Sequence, residues 1–80
     1  MRGIIVLDEQ GYMLDMDYEI EEFIRKVRVH LSEYAKNCPN HGFVQGTIEK
    51  VIKYSDGTLS AVICCPSCGS YLDTIYNYQL

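Results

Sequence analysis

The chain has 80 residues, of which 48% are hydrophobic and 22% charged, and its net charge at pH 7 is −4. This balance is typical of a folded globular domain and excludes a chain that is disordered along its whole length. Because a single domain of this size has a small core, we expect an additional stabilising element such as a bound metal or disulfides.

The distribution of charge argues against a typical nucleic-acid-binding surface. Residues 1–36 carry five basic and eight acidic side chains, and residues 37–80 carry two and three. Nucleic-acid-binding proteins usually have a basic excess, because neutralising phosphates supplies much of their affinity. No such excess is present here, so nucleic acid is the less favoured class of partner.

The amino terminus contains no targeting or membrane-spanning pattern. Its apolar run is four residues long and ends at Asp8 and Glu9, which is too short for a signal-peptide core or a membrane span. We therefore expect an intracellular, cytoplasmic protein without a membrane association. Cysteines in that reducing compartment are more often metal ligands or catalytic thiols than disulfide partners.

Two short apolar segments begin the chain, at residues 3–7 and 11–14. The polar residues between them, followed by Gly11, predict a β-hairpin. From Tyr18 to Lys36 apolar side chains then recur at steps of three and four, which predicts an amphipathic helix. We expect its apolar stripe to pack on the protein's own sheet, and a homodimer through residues 18–36 is the alternative to a monomer.

The ends of this helix are indicated by capping residues. Asp15 or Asp17 occupies the position of an N-cap, where a carboxylate accepts hydrogen bonds from free backbone N–H groups. At the other end, Asn37 is expected to terminate the helix and Pro39 to prevent its continuation.

The second half of the chain is patterned for strands. Residues 43–54 alternate between apolar and polar, residues 55–57 (Ser-Asp-Gly) are a strong turn signal, and residues 58–64 and 71–80 predict two further strands. Alternation predicts that one face of the first strand carries Val44, Ile48, Ile52 and Tyr54. It predicts that one face of the last strand carries Leu72, Thr74, Tyr76, Tyr78 and Leu80.

Two short cysteine-containing motifs lie on either side of the predicted strand pair. Cys38-x-x-His41 is followed, after 23 intervening residues, by Cys65-x-x-Cys68, and in both motifs a proline follows the first residue and a glycine the second. A spacing of two residues lets a tight turn direct both side chains at one ion, and two such turns supply the four ligands of a tetrahedral zinc. The glycines tolerate the left-handed backbone that closes such a turn.

The segments CPNHG, SDG and CPSCG make residues 37–80 resemble the zinc-ribbon class of zinc fingers. The resemblance implies that Cys38, His41, Cys65 and Cys68 bind one structural Zn²⁺ per chain, with His41 where a cysteine is commoner. A site with four protein ligands lacks the open position that a metal hydrolase needs, so we expect no enzyme activity. Iron remains the alternative ion, because a small thiolate-rich site also binds iron.

The predicted fold is therefore α+β in a single domain comprising residues 1–80. One amphipathic helix packs with a small antiparallel sheet; residues 1–36 form the hairpin and helix, and residues 37–80 form a three-stranded zinc ribbon.

Other interpretations of the cysteines are weaker. Two disulfides are possible by number, but Cys64 and Cys65 are adjacent and no secretory signal is evident. The segment CPSC also resembles the active-site motif of glutaredoxin-type enzymes, but that chemistry uses a helix N-terminus, and a strand pattern follows Gly69. Cys64, which ends a strand, is expected to point away from Cys65 and to act as a small buried hydrophobic residue.

Three functions follow in order of preference. The first is a non-enzymatic protein-interaction adaptor or regulator with an unknown protein partner, as the acidic charge favours. The second is a nucleic-acid-binding, transcription-associated protein, because zinc ribbons often occur in proteins of that kind. The third is a thiol redox protein that uses Cys65 and Cys68.

Overall fold

The computed structural model describes residues 4–80 and consists of one α-helix, six β-strands and a terminal 3₁₀ turn. Gly3, which begins the first predicted apolar segment, lies outside the described residues. The elements in chain order are β1 (Ile5–Asp8), α1 (Tyr18–Glu33), β2 (Lys36–Cys38), β3 (Gly42–Val44), β4 (Thr47–Lys53), β5 (Leu59–Cys64), β6 (Tyr71–Tyr76) and the 3₁₀ turn Asn77–Gln79.

The helix α1 begins at one of the two predicted caps. The Oδ1 atom of Asp17 accepts a hydrogen bond from the backbone N–H of Ile20 at 2.9 Å, which satisfies one of the donors left free at a helix N-terminus. The helix ends at Glu33, three residues before the predicted end, because Lys36–Cys38 pair with β3. The buried side chains of the helix are Ile20, Phe23, Ile24, Val27 and Leu31.

A four-stranded mixed sheet lies against this helix, in the order β1-β4-β5-β6. The pairs β4–β5 and β5–β6 are antiparallel, whereas β1 pairs with β4 in parallel. Side chains on the helix side of the sheet and the apolar stripe of α1 form one core, because both surfaces leave water together. Its buried members are Val6, Ile20, Phe23, Ile24, Val27, Leu31, Val51, Leu59, Ala61, Ile63 and Ile75.

This architecture confirms the predicted α+β class and corrects the sheet, which is mixed instead of wholly antiparallel. Residues 11–14 do not form a second strand. The turn itself is present, with Gly11 at φ 94° and the Asp8 carboxylate accepting from the N–H of Gln10 and of Tyr12. Beyond that turn, only Met13 bridges Leu7, and β1 pairs instead with the distant β4.

The predicted strand 43–54 is divided into β3 and β4 at Gln45 and Gly46. A β-bulge between Ile48 and Lys50 then changes the alternation, because the extra residue shifts every later side chain by one position. As a result Ile48 and Val51 lie with the core, whereas Ile52 lies on the opposite face.

The last predicted strand is also shorter than expected. A second bulge lies opposite Ile63 and Cys64 in β6, so Leu72 packs against the core although Thr74 and Tyr76 face the other way. The strand ends at Tyr76, and residues 77–79 form a 3₁₀ turn.

The sheet face directed away from the helix has two rows of side chains that follow from the strand register. One row contains Met13, Leu7, Ile52, Ser60 and Tyr76, and the next contains Ile5, Lys50, Val62 and Thr74. We call these nine residues the outer sheet face. Its apolar side chains are half-buried or exposed, and its one charged side chain is Lys50.

The strands β2 and β3 form a separate antiparallel hairpin, with Cys38 opposite Gly42 at its closed end. A salt bridge between Lys36 Nζ and Asp73 Oδ2, at 3.0 Å, links this hairpin to β6. A contact between Cys38 and Cys68 also places the hairpin beside the turn that connects β5 with β6. Among residues 4–80, no helix is long and apolar enough to cross a membrane.

Candidate metal centre

The first half of the centre is the turn of the β2–β3 hairpin. Cys38 is the last residue of β2, and the backbone N–H of His41 donates to the Cys38 carbonyl at 3.3 Å, which closes the turn. Gly42 follows with φ 73°, a left-handed conformation that costs glycine little. The turn directs Cys38 Sγ and His41 Nδ1 to the same point, 3.7 Å apart.

The second half is a related turn between β5 and β6, closed by the glycine instead of by the second predicted ligand. The N–H of Gly69 donates to the Cys65 carbonyl at 2.9 Å, and Gly69 has φ 76°. In addition, the N–H of Cys65 donates to the carbonyl of Ser70 at 2.9 Å. The parallel placement of proline and glycine in the two motifs thus corresponds to two similar turns.

The four residues that the sequence predicts as ligands lie together. Their ligand atoms, three sulfurs and one imidazole nitrogen, are all within 4.8 Å of one another. Cys38 Sγ is 3.6 Å from Cys68 Sγ, and Cys65 Sγ is 3.7 Å from His41 Nδ1. A tetrahedral ion about 2.3 Å from sulfur and about 2.0 Å from nitrogen holds its ligand atoms roughly 3.5 to 3.8 Å apart. The cluster is therefore compatible with one metal ion.

The cluster has a buried side and an exposed side. Cys38 and Cys65 are 1% and 2% exposed, whereas His41 and Cys68 reach the surface. Burial raises the pKa of the Cys38 thiol above its ordinary value, although backbone N–H groups of Asn40 and His41 oppose this effect. A metal offsets such a cost, since it binds the deprotonated sulfur directly.

Cys68, unlike Cys38, is exposed, and polar groups surround its sulfur. The Ser70 hydroxyl is 3.1 Å from its sulfur, and Asn40 Nδ2 donates to the same sulfur at 3.7 Å. Hydrogen bonds from Ser70, and then from Asn40, lower the pKa of Cys68 to about 5. The thiolate form that binds metals is thus favoured at this position.

Asn40 and Ser70 contact the site, but neither belongs to the ligand pattern that the sequence predicts. Asn40 belongs to the first turn but contacts a sulfur of the second turn, so this contact depends on how the two halves meet. Ser70 follows Gly69 directly, and a hydroxyl at that position is the sequence signal that was available.

Cys64 does not belong to the cluster. It is buried, its carbonyl accepts a hydrogen bond from Thr47 Oγ1 at 3.2 Å, and burial followed by the nearby Glu49 carboxylate raises the pKa of its thiol. Its register partner is Tyr71, outside the metal cluster.

The alternative interpretations of the cysteines lack their structural requirements. All four cysteines are unpaired, and the sulfurs of Cys38 and Cys68, which lie 3.6 Å apart, are not bonded, since a disulfide bond is about 2.05 Å long. No helix begins at Cys65; a turn and then β6 follow it, so the dipole that activates a glutaredoxin-type thiol is not available there.

Comparisons with known proteins give no family for this chain. No family model, no curated protein and no solved structure matches this chain. The functional interpretation therefore depends on the geometry of the site and the surface.

Proposed function

We propose that this chain is a small, non-enzymatic binding protein whose fold is stabilised by one zinc ion at Cys38, His41, Cys65 and Cys68, in a zinc-ribbon-like arrangement. The observation that supports it most is the spacing of the ligand atoms, because three of their separations are 3.6 to 3.7 Å, close to the edges of a zinc tetrahedron, and all lie within 4.8 Å. Three thiolates and an imidazole are soft donors, which disfavour Mg²⁺ and Ca²⁺.

The zinc has a structural role in this proposal. Four protein ligands fill a tetrahedral ion, so it retains no position for the water that a hydrolase activates. The ion instead links the β2–β3 hairpin to the β5–β6 turn, which come from distant parts of the chain. Because these turns are not held together in the unfolded chain, metal binding contributes directly to folding free energy.

Native mass spectrometry and elemental analysis test the metal. Protein purified without added metal should carry one zinc per chain, and a strong chelator should remove it. One iron per chain would support the metal site but would show that the bound ion is iron and not zinc. A folded chain that binds neither metal would refute the proposal.

The outer sheet face supports binding of a protein partner. It presents Met13, Leu7 and Ile52 in one row and Ile5 and Val62 in the next. Apolar patches that reach solvent are typical of protein interaction sites. We infer a partner surface with an apolar centre and an acidic residue positioned opposite Lys50.

Nucleic acid is the second candidate, and the charges disfavour it. The outer sheet face has Lys50 as its one cation, whereas phosphate binding requires several cations along a strand. On the opposite side of the sheet, α1 is acidic in its first turns, with Glu19, Glu21 and Glu22. One feature favours base stacking: the rings of Tyr76 and Tyr78 are stacked, with their centroids 5.2 Å apart.

A pair of matched variants tests the partner class. Ile5 on the outer sheet face and Val29 on the helix are both 48% exposed, so Ile5→Lys and Val29→Lys add the same charge at equal exposure. Wild type and Val29→Lys should capture the same protein from host extract at physiological salt, and Ile5→Lys should lose it. Equal capture by both variants would refute this surface.

Binding to short DNA and RNA over a range of salt concentrations separates the two candidates. Protein binding through an apolar surface changes little with salt. Affinity for nucleic acid that falls steeply as salt rises would favour the second candidate.

A further inference from the structure

Oxidants have unequal access to the thiols of this protein. The structure describes all four cysteines, and of these only Cys68 is exposed, whereas Cys38, Cys64 and Cys65 are buried. Susceptibility of a cysteine to oxidation follows its thiolate character and its exposure. A dissolved peroxide therefore meets Cys68 first.

The surroundings of Cys68 hold its sulfur in a defined position. Ser70 Oγ and Asn40 Nδ2 both contact this sulfur, at 3.1 and 3.7 Å. A cysteine that binds a metal does so as the thiolate, which is also its nucleophilic form. Cys68 thus combines exposure with the chemical state that reacts with peroxides.

A second thiol lies within reach of Cys68. Cys38 Sγ is 3.6 Å away, and 30 positions separate the two residues in the sequence. Since a disulfide bond is about 2.05 Å long, the two sulfurs need to approach by only roughly 1.5 Å. Redox-sensing cysteines are often placed beside such a resolving thiol.

We propose that Cys68 is a peroxide-oxidised modification site, with Cys38 as its resolving cysteine, and that their disulfide releases the metal. This inference rests on the proposed zinc site. After the disulfide forms, His41 and Cys65 alone are left of the four ligands, too few to retain a structural zinc.

The chemistry balances with hydrogen peroxide as the oxidant. The Cys68 thiolate attacks one peroxide oxygen, the O–O bond breaks, and the products are a sulfenic acid at Cys68 and hydroxide. The Cys38 thiolate then attacks the sulfenic sulfur, the S–O bond breaks, and a second hydroxide leaves as the S–S bond forms. In total, two thiolates, one peroxide and two protons give one disulfide and two waters.

The test uses the full chain loaded with zinc, whose metal content is measured first. Hydrogen peroxide is added with a chromophoric zinc indicator present, and the oxidised chain is alkylated and mapped by mass spectrometry. We expect about one zinc released per disulfide formed, a Cys38–Cys68 linkage, and recovery of zinc binding after thiol reduction. In parallel, a 1,3-dione that traps sulfenic acids should label Cys68.

Two outcomes overturn the inference while leaving the zinc site intact: a loaded chain that retains zinc in peroxide, or a disulfide or dione adduct that involves Cys64 or Cys65 instead. A chain that never bound zinc would refute the proposed function itself. Cys64→Ser is the matched control, because this thiol lies outside the cluster, and its rate of zinc release should agree with wild type within about twofold.

Discussion

Cys64 and Cys65 are neighbours in the chain, but their sulfurs lie in different surroundings. Cys65 Sγ faces His41 Nδ1 at 3.7 Å, and Cys64 lies near Glu49 at the end of β5. Alternation along a strand predicts this separation, since successive side chains point to opposite faces. The two thiols are therefore expected to differ completely in what their removal does.

Substitution of each cysteine by serine separates these roles. Cys64→Ser should leave one zinc per chain, whereas Cys65→Ser should reduce the zinc content to near zero, because a serine hydroxyl does not replace a thiolate ligand. Elemental analysis of the purified proteins gives the result directly. Loss of metal in Cys64→Ser would mean that the ligand motif is displaced by one residue.

The ligand set could be proposed from sequence because its information is local. In each motif, two intervening residues, a proline and a glycine specify a turn without reference to the rest of the fold. Asn40 and Ser70 were missed because their shared contact, the sulfur of Cys68, depends on how the two turns meet in space.

At the scale of elements, two glycines perform different tasks and should respond differently to substitution. Gly69 has φ 76° with open space around its Cα, so Gly69→Ala introduces backbone strain alone. Gly46 has no such conformation, but an added Cβ would collide with Ile63 Cγ2 and lie 3.7 Å from a methyl group of Leu31. Here the cost is steric, in the core.

A double-mutant cycle distinguishes these causes. We expect Gly69→Ala to lower the unfolding free energy by about 1 to 2 kcal/mol and Gly46→Ala by about 1 to 3 kcal/mol. In an Ile63→Ala background, Gly46→Ala should cost less, because its obstacle is removed, whereas the cost of Gly69→Ala should be unchanged. Chemical denaturation of the zinc-loaded proteins measures these differences, and equal coupling for both glycines would contradict the steric account.

Sequence periodicity identifies the elements better than it identifies their pairing. The helix stripe is a local feature and was predicted, as were a cap at Asp15 or Asp17, of which Asp17 is the one observed, and the turn at residues 55–57. The bulge at Glu49 was not predicted, because the apolar and polar residues of this strand fit a regular alternation as well as one with an inserted residue. The parallel partner of β1 could not be predicted either, since it lies more than forty positions away.

At the scale of the whole molecule, stability depends on a core of modest size. The main cluster contains eleven buried residues, all between α1 and one face of the sheet. A core in a chain of this length supplies only about 3 to 5 kcal/mol. Zinc binding is expected to contribute on the order of 10 kcal/mol, so the ion supplies the larger part of the free energy of unfolding.

Removal of the metal should therefore unfold much of the protein. We expect a strong chelator under reducing conditions to abolish the cooperative thermal transition seen by circular dichroism, and added zinc to restore it. Cys38→Ser should behave like the chelated wild type. A chelated protein that keeps its melting temperature would show that the core is sufficient alone.

The parallel pairing of β1 with β4 also has a kinetic consequence. It pairs Ile5 with Lys50, and the chain between these two residues contains the whole helix and the first metal-binding turn. By contrast, β4, β5 and β6 are connected by short turns. Closing a long loop costs more entropy than closing a short one, so β1 is expected to join the sheet after the other strands have paired.

Stopped-flow measurements on Val6→Ala, with Ala61→Gly as the comparison on β5, test this order. Val6→Ala should accelerate unfolding and leave the folding rate almost unchanged, whereas Ala61→Gly should slow folding. Slowed folding in Val6→Ala would place β1 in the transition state. With the expected order, the strand of this sheet that comes earliest in the sequence is the last of the four to pair.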